Sequence, residues 1–247
     1  MTNAPADRPP DDPVDSLIQA MTLEEKLTLL HGAHDPTGTA GAGYVPGIER
    51  LGIPPLRLAD GPAGIRTAEP ATALPAPVAL SATFDPELAR RFGEVIGREG
   101  RARKQDVLLS PMVNIVRVLQ AGRNFETFGE DPHLAAQMVA AEIRGIQDEG
   151  LIATVKHYVA NNFEQNRRSV NVEVGERALR EIYLPGFEAA VDADVGAVMG
   201  AYNRVNGTYA CENARLLQDI LRDDFGFEGW VMTDWFRPEI YFQTSAW

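Results

Sequence analysis

The sequence predicts an α/β fold in which a mostly parallel sheet closes into a TIM-like (β/α)8 barrel. Three observations carry that prediction. Short apolar runs of about five residues alternate with longer amphipathic stretches of the kind that pack outside a sheet. No strand candidate runs into a Gly-x-Gly-x-x-Gly helix opening, which an open doubly wound sheet usually carries. The chain has 247 residues, the length of one α/β barrel.

In chain order, Thr22-Leu23-Glu24-Glu25 has capping-box spacing and starts a helix through Leu27, Leu29 and Leu30. From His31 to Pro46 a Gly-rich stretch lacks the flanks of a phosphate-binding loop and is read as a surface excursion. Strand candidates are Leu56 to Asp60, Pro77 to Leu80, Val107 to Ser110, Ile152 to His157, Ala197 to Tyr202 and Trp230 to Asp234. Asp85-Pro86 and Asp131-Pro132 each place an N-cap before a proline at the first helical position. Phe92, Val95 and Ile96 mark the buried stripe of the first of these helices; Met138, Val139, Ile143 and Ile146 mark that of the second, which stops near Gly150. Further helices are expected from Glu176 to Asp192 and from Asn213 to Asp224, the latter closed by Gly226.

Composition narrows the function. There are 23 Lys and Arg against 35 Asp and Glu, a formal charge of -12 that repels phosphate backbones and argues against a nucleic-acid partner. No apolar run approaches the roughly 20 residues of a membrane helix. One cysteine, Cys211, excludes an internal disulfide framework. Residues 1–20 read as an extended lead-in; their start has neither the basic nor the apolar region of a signal peptide, so a cytoplasmic location is expected. The four histidines lack zinc-helix spacing and there is no Gly-x-Ser-x-Gly elbow, so neither a metal nor another cofactor is called for.

The strand candidates end in polar residues: Asp60, Ser110 with Asn114, Lys156-His157, Tyr202-Asn203 and Asp234. In a barrel such ends ring one mouth, where catalytic groups gather. Alternation puts Trp230, Met232 and Asp234 on one face and Val231, Thr233 and Trp235 on the other, giving an interior-facing carboxylate. Lys156 and His157 are adjacent, so both can enter the mouth only through an irregularity in the strand. Arg123 offers a planar fork for hydroxyls or a carboxylate; its competing role is an ion pair with Glu126 or Glu130. Hydroxyl-rich, uncharged ligands fit this set best, and an inward carboxylate among hydroxyl-binding groups has what glycoside cleavage requires.

At these residues the chain resembles glycoside hydrolase family 3, in particular its β-glucosidase branch. The motifs, in family order, are Leu58-Ala59-Asp60-Gly61-Pro62-Ala63-Gly64, Gly122-Arg123-Asn124-Phe125-Glu126 with Gly129-Glu130-Asp131-Pro132, Val155-Lys156-His157-Tyr158, Gly200-Ala201-Tyr202-Asn203 and Val231-Met232-Thr233-Asp234-Trp235. The resemblance implies that residues 21–236 form the family's N-terminal barrel. It makes Asp234 the nucleophile of a retaining mechanism on β-glucosides or oligosaccharides. Asp60, Arg123, Lys156, His157 and Tyr202 then bind the sugar beside the cleaved bond, the basic trio Arg123, Lys156 and His157 also favouring an ionised Asp234, and Trp235 flanks the leaving group. The Gly-His-Gly signature of the N-acetylhexosaminidase branch is missing after Lys156-His157.

The resemblance further implies a partner: in the β-glucosidase branch the acid/base is a glutamate on a sandwich domain that follows the barrel. The nucleophile strand is the family's seventh, so the barrel is expected to be incomplete at its C-terminal end, and residues 237–247 match nothing in the family pattern. Truncation, a shifted reading frame and an added tail all account for that. The competing expectation is a catalytically silent carbohydrate-binding fragment that keeps the pocket and lacks the proton donor.

Overall fold

The computed structural model describes residues 13–235. The main sheet has six strands: β1 (Gly43–Val45), β2 (Leu56–Asp60), β3 (Val107–Leu109), β4 (Ile152–Tyr158), β6 (Ala197–Gly200) and β9 (Trp230–Thr233), in that spatial order. β1 is antiparallel to β2; every other neighbouring pair is parallel. A small second sheet joins β5 (Asn171–Val172), β7 (Arg204–Val205) and β8 (Thr208–Tyr209). The helices are α1 (Pro13–Ala20), α2 (Leu23–Thr28), α3 (Pro77–Ser81), α4 (Pro86–Ala102), α5 (Pro132–Asp148), α6 (Glu176–Ala178) and α7 (Pro185–Val191), with π-helical segments at Leu179–Tyr183 and Arg215–Asp224.

Local chemistry explains the helix ends. Thr22 and Glu25 close the capping box at the start of α2. Asp85 accepts from the backbone N–H groups of Glu87 and Leu88, and Asp131 from those of His133 and Leu134, so α4 and α5 begin where the Asp-Pro pairs set them. Gly150 and Gly226 both hold positive φ, at 86° and 74°, as stops after α5 and after the second π-helical segment.

The two faces of the main sheet pack differently. On the outer face, Leu108, Val155 and Val198 join Phe92 and Ile96 of α4, Met138, Val139, Ile143 and Ile146 of α5 and Phe187 of α7 in one large core. On the inner face, Leu58, Val107, Leu109 and Met199 form a second cluster with Val45 of β1 and with Trp230 and Met232 of β9. Side chains from both edge strands share that cluster, so the sheet is curled around it as part of a barrel wall. α4 and α5 approach closely: a Cβ at Gly93 would lie 2.3 Å from the Glu142 carbonyl oxygen, and one at Gly145 would lie 2.1 Å from that of Arg90.

Several expectations are corrected. Pro77–Leu80 is not a strand but most of α3, because Ala76 is extended and Pro77 occupies the first helical position, where its missing N–H costs nothing. Residues 13–20 of the expected lead-in are helical. The Gly-rich excursion carries β1; its preceding turn is organised by Asp35, which accepts from the backbone N–H groups of Thr37, Thr39 and Ala40 at 2.8 to 2.9 Å. The long helix expected from Glu176 to Asp192 is broken around Leu184, before Pro185. Residues 1–12 and 236–247, which include the rest of the expected lead-in and the tail expected to depart from the family pattern, lie outside the described residues.

One buried group in the outer core is out of keeping with its surroundings. Glu142 of α5 is fully buried, and neither of its carboxyl oxygens closes a well-formed hydrogen bond. Burial pushes its pKa up to about 8, only slightly offset by neighbouring Ser110. Because the folded pKa lies above the unfolded one, its contribution to stability is fully present below about pH 4.5 and is lost as pH rises to about 8. Glu142→Gln, which cannot titrate, is expected to flatten this loss and to be more stable than the parent by about 2–4 kcal/mol above pH 8. Urea unfolding between pH 5 and 9 measures it, and parallel pH profiles for the two proteins would refute it.

Candidate active site

The polar strand ends gather at one edge of the curled sheet. Asp60 ends β2, Lys156 and His157 lie near the end of β4, Tyr202 follows β6 and Asp234 follows β9. Arg123 comes from the long connection after β3, at the start of a 3-10 turn, Asn124–Glu126. Parallel strands place all of these C-terminal ends on the same side.

β4 solves the problem of two adjacent inward side chains. Its pairing with β6 is regular through Lys156 opposite Met199, then skips His157 and resumes at Tyr158 opposite Gly200. The Lys156–His157 and Tyr158–Val159 peptides are cis. Lys156 is 3% exposed and His157 1%, yet each finds partners in the site. Lys156 Nζ donates to Asp60 Oδ1 at 3.3 Å. His157 Nε2 lies 3.6 Å from Asp234 Oδ2 and 3.3 Å from Arg123 Nη1.

Asn114 fixes the histidine. Its Oδ1 accepts from the His157 backbone N–H at 2.9 Å and lies 3.0 Å from the ring Nδ1, and its Nδ2 donates to the His157 carbonyl at 3.0 Å. The Arg123 fork is already partly used, as its ion-pair reading anticipated: Nε and Nη2 donate to the two carboxylate oxygens of Glu126 at 3.1 and 2.8 Å. Glu130 is not its partner. Nη1 is turned toward His157, with Glu164 at 3.9 Å.

Asp234 Oδ1 accepts from the Trp235 backbone N–H at 2.7 Å, and the Tyr202 hydroxyl donates to the Trp235 carbonyl. The guanidinium groups of Arg167 and Arg168 lie 4.7 and 5.4 Å from the centre of the Tyr202 ring. Trp230 and Met232 face inward as alternation predicts, but Trp235 does not take the opposite face. The strand ends at Thr233, and Trp235 packs with the inner cluster against β1, where its ring would be 2.9 Å from a Cβ at Gly43.

The electrostatics differ from expectation at one residue. Burial, then the Lys156, Arg123 and Arg167 cations, hold the His157 pKa well below its usual value. The ring is neutral near pH 7, so the expected basic trio supplies two cations, Arg123 and Lys156. Burial also lowers the Lys156 pKa, against the opposing pull of Asp60. For Arg123, burial works against the charge but is outweighed by Glu126, with Glu164 and Asp234 adding to it.

Arg167, Glu164 and Asn161 were missed as site residues by sequence reasoning. Arg167 pairs with Glu164 at 2.7 Å, and Asn161, buried with no hydrogen-bond partner for its side chain, lines a recess shared with Asn114, Arg123 and Glu164. Among the described residues, no cluster of His, Cys, Asp and Glu could hold a metal ion, and no helix is long and apolar enough to cross a membrane.

Carboxylates, cations and a neutral imidazole thus gather at the C-terminal edge of a parallel sheet, the edge at which proteins of the α/β barrel class carry their active sites. The chain belongs to glycosyl hydrolase family 3: residues 46–244 match that family's N-terminal domain. It is 46% identical over 230 residues to a β-glucosidase of Rhizobium radiobacter, aligning 90% of this chain with 27% of that protein. It is 43% identical to β-glucosidase BoGH3A of Bacteroides ovatus, aligning 90% of this chain with 31% of that one. The crystal structure of DesR, a β-glucosidase from Streptomyces venezuelae in complex with D-glucose, superposes with a TM-score of 0.87 at 52% identity, covering 89% of this chain and 28% of that one. β-Glucosidase 3B from Thermotoga neapolitana, in complex with glucose, gives 0.87 at 42% identity, with 90% and 34% covered. The chain thus spans about a third or less of the length of these relatives.

Tyr202 offers a direct probe of the Asp234 environment. Burial first, and then the Asp234 charge, push the Tyr202 pKa up to about 12. Asp234→Asn is expected to lower that midpoint by on the order of one pH unit, read from ring-labelled tyrosine by carbon NMR. An unmoved midpoint would show that burial alone sets it.

Proposed function

We propose that this chain is the sugar-binding, nucleophile-bearing part of a retaining β-glucosidase whose complete catalytic domain is a (β/α)8 barrel. The observation that carries the reading is the placement of Asp234 beside His157, Tyr202 and Arg123, with the Lys156–Asp60 pair on a neighbouring strand of the same edge. Asp60 is the most open of the polar ends, its side chain 38% exposed, and suits a pair of sugar hydroxyls; Asp234 is 14% exposed and suits an anomeric carbon held against it.

In this reading an Asp234 carboxylate oxygen attacks the anomeric carbon. The bond from that carbon to the glycosidic oxygen breaks, and its electron pair stays on that oxygen, which takes a proton from a general acid. Water then attacks the anomeric carbon, and Asp234 leaves with the electron pair of the ester bond as the attacking water loses its proton to the same group acting as base. Arg123 and Lys156 place positive charge near Asp234, and Trp235 lies at the leaving-group side. The general acid is assigned to a second domain rather than to Glu126 or Glu164, whose carboxylates are engaged by Arg123 and Arg167. The names of the relatives and the partial coverage of their length support this assignment.

The two proton requirements separate experimentally. General acid catalysis contributes typically 10²- to 10⁴-fold, most for poor leaving groups. This chain alone is therefore expected not to turn over natural disaccharides, yet to be labelled slowly on Asp234 by a 2-fluoro glucoside with an activated phenol leaving group. Asp234→Asn should abolish the label while glucose affinity stays within a few-fold. Peptide mapping by mass spectrometry decides: label on Glu126 or Glu164 overturns the nucleophile assignment, and no label on a chain that binds glucose favours a silent binding fragment.

A further inference from the structure

The orientation of one amide sets the chemistry of the His157 ring. A backbone N–H only donates and a backbone carbonyl only accepts. Asn114 meets both on the same residue, Oδ1 at 2.9 Å from the His157 nitrogen and Nδ2 at 3.0 Å from its carbonyl oxygen. Flipping the amide would oppose donor to donor and acceptor to acceptor. Oδ1 is therefore also the atom 3.0 Å from Nδ1, and a carbonyl oxygen there requires a proton on Nδ1.

The far side of the ring gives the same answer from a different partner. Arg123 Nη1 lies 3.3 Å from Nε2, and a guanidinium has donors only, so Nε2 must accept. A doubly protonated ring would set N–H against N–H. The 3.6 Å approach of Nε2 to Asp234 Oδ2 then brings together two acceptors and is not an ion pair.

From these contacts we infer that Asn114 is a positioning residue that locks His157 as the neutral Nδ1–H tautomer, so that Nε2 keeps one in-plane lone pair, held by Arg123 Nη1 at 3.3 Å, which a ligand hydroxyl can take only by donating in place of Arg123. Burial of the ring and the surrounding Lys156, Arg123 and Arg167 charges act in the same direction. Asn114 is 4% exposed and its side-chain hydrogen bonds go to His157, so its influence on the site passes through that residue. The ligand part of the inference rests on the β-glucoside reading; the tautomer does not.

The consequence for specificity is concrete. A hydroxyl that replaces Arg123 at Nε2 must donate, and fluorine at that position of the sugar, which cannot donate, sets acceptor against acceptor. Had Nε2 carried the proton, fluorine would be tolerated as a weak acceptor.

The test uses the 247-residue chain with nitrogen-15 in histidine alone, four ring systems in all, and long-range proton–nitrogen correlation at pH 7. His157→Gln assigns the signals. The parent is expected to show a protonated, pyrrole-type Nδ1 and a bare, pyridine-type Nε2 for His157. Asn114→Asp should keep that pattern, since a carboxylate oxygen accepts the same Nδ1–H. Asn114→Leu should lose it, with the proton moving toward Nε2. A parent ring protonated at Nε2, or at both nitrogens, overturns the inference, as does an unaltered tautomer in a folded Asn114→Leu. If the leucine variant does not fold, the parent and aspartate spectra still decide.

Calorimetry with glucose and its singly deoxyfluorinated analogues supplies the ligand arm. At one ring position, fluorine is expected to weaken binding to the parent about tenfold and to have a smaller effect on Asn114→Leu. Failure of the parent to bind glucose with the Nδ1–H pattern intact removes the sugar reading and leaves the tautomer established. Glucose binding with Nε2 protonated does the reverse.

Discussion

Lys156 and His157 are consecutive residues of one strand, both nearly inaccessible to solvent, and both must reach polar partners on the same side. A regular strand cannot do that, since it sends neighbours to opposite faces. The displaced register of β4 against β6 meets the requirement, and much of the site follows from it. With the backbone of His157 shifted, its N–H and carbonyl lose the strand ladder, and Asn114 supplies both missing bonds. The Lys156 carbonyl accepts from Val113, so the segment after β3 is tied to the irregular stretch along its length. Leaving these buried groups unpaired would cost about 1–3 kcal/mol each, which makes the Met112–Asn114 segment as much a part of this arrangement as the Lys156 and His157 side chains.

The charge arrangement is built on the same frame. Arg123 spends two of its donor positions on Glu126 and turns the remaining edge to His157 and, at longer range, Glu164. A guanidinium held bidentately by a neighbour three residues away can stay charged under substantial burial. Lys156 has Asp60 for the same purpose. His157 has no carboxylate at hydrogen-bond distance and three cations around it, and so remains neutral. The site therefore separates its roles: one buried and one half-buried cation, one neutral acceptor, and the carboxylates Asp60 and Asp234 beside them.

Much of this was legible from residue type and spacing. The Asp-Pro pairs gave both long helices, because an N-cap and a proline at the first turn act locally and need no tertiary partner. Pro77 misled because the same local rule was outweighed by its apolar followers, which read as a strand run of four residues. β1 left no signal, being only three residues long and opening on a glycine. Polar strand ends pointed to the site edge, and adjacency alone showed that Lys156 and His157 needed an irregular backbone. Spacing could not show the tautomer of His157, which depends on an amide forty-three residues away in sequence. Nor could it show Glu164 and Arg167, which sit in an aperiodic loop and matter only through the turn that brings them to Arg123 and Tyr202.

The inner face explains why Trp235 departs from the alternation of its strand. The curled sheet leaves a concave surface lined by Leu58, Val107, Leu109 and Met199, and a concave apolar surface without filling atoms forfeits contacts. Two tryptophans, Trp230 and Trp235, and Met232 supply bulk there from one edge strand and the turn after it. For Trp235 to reach across to β1 the opposing position must be small, and Gly43 is the residue that admits its ring. The same turn aims the Trp235 N–H at Asp234 and its carbonyl at Tyr202. Filling the interior and orienting the carboxylate are thus one structural event: the residue that packs against β1 is also the one whose backbone holds Asp234 in place.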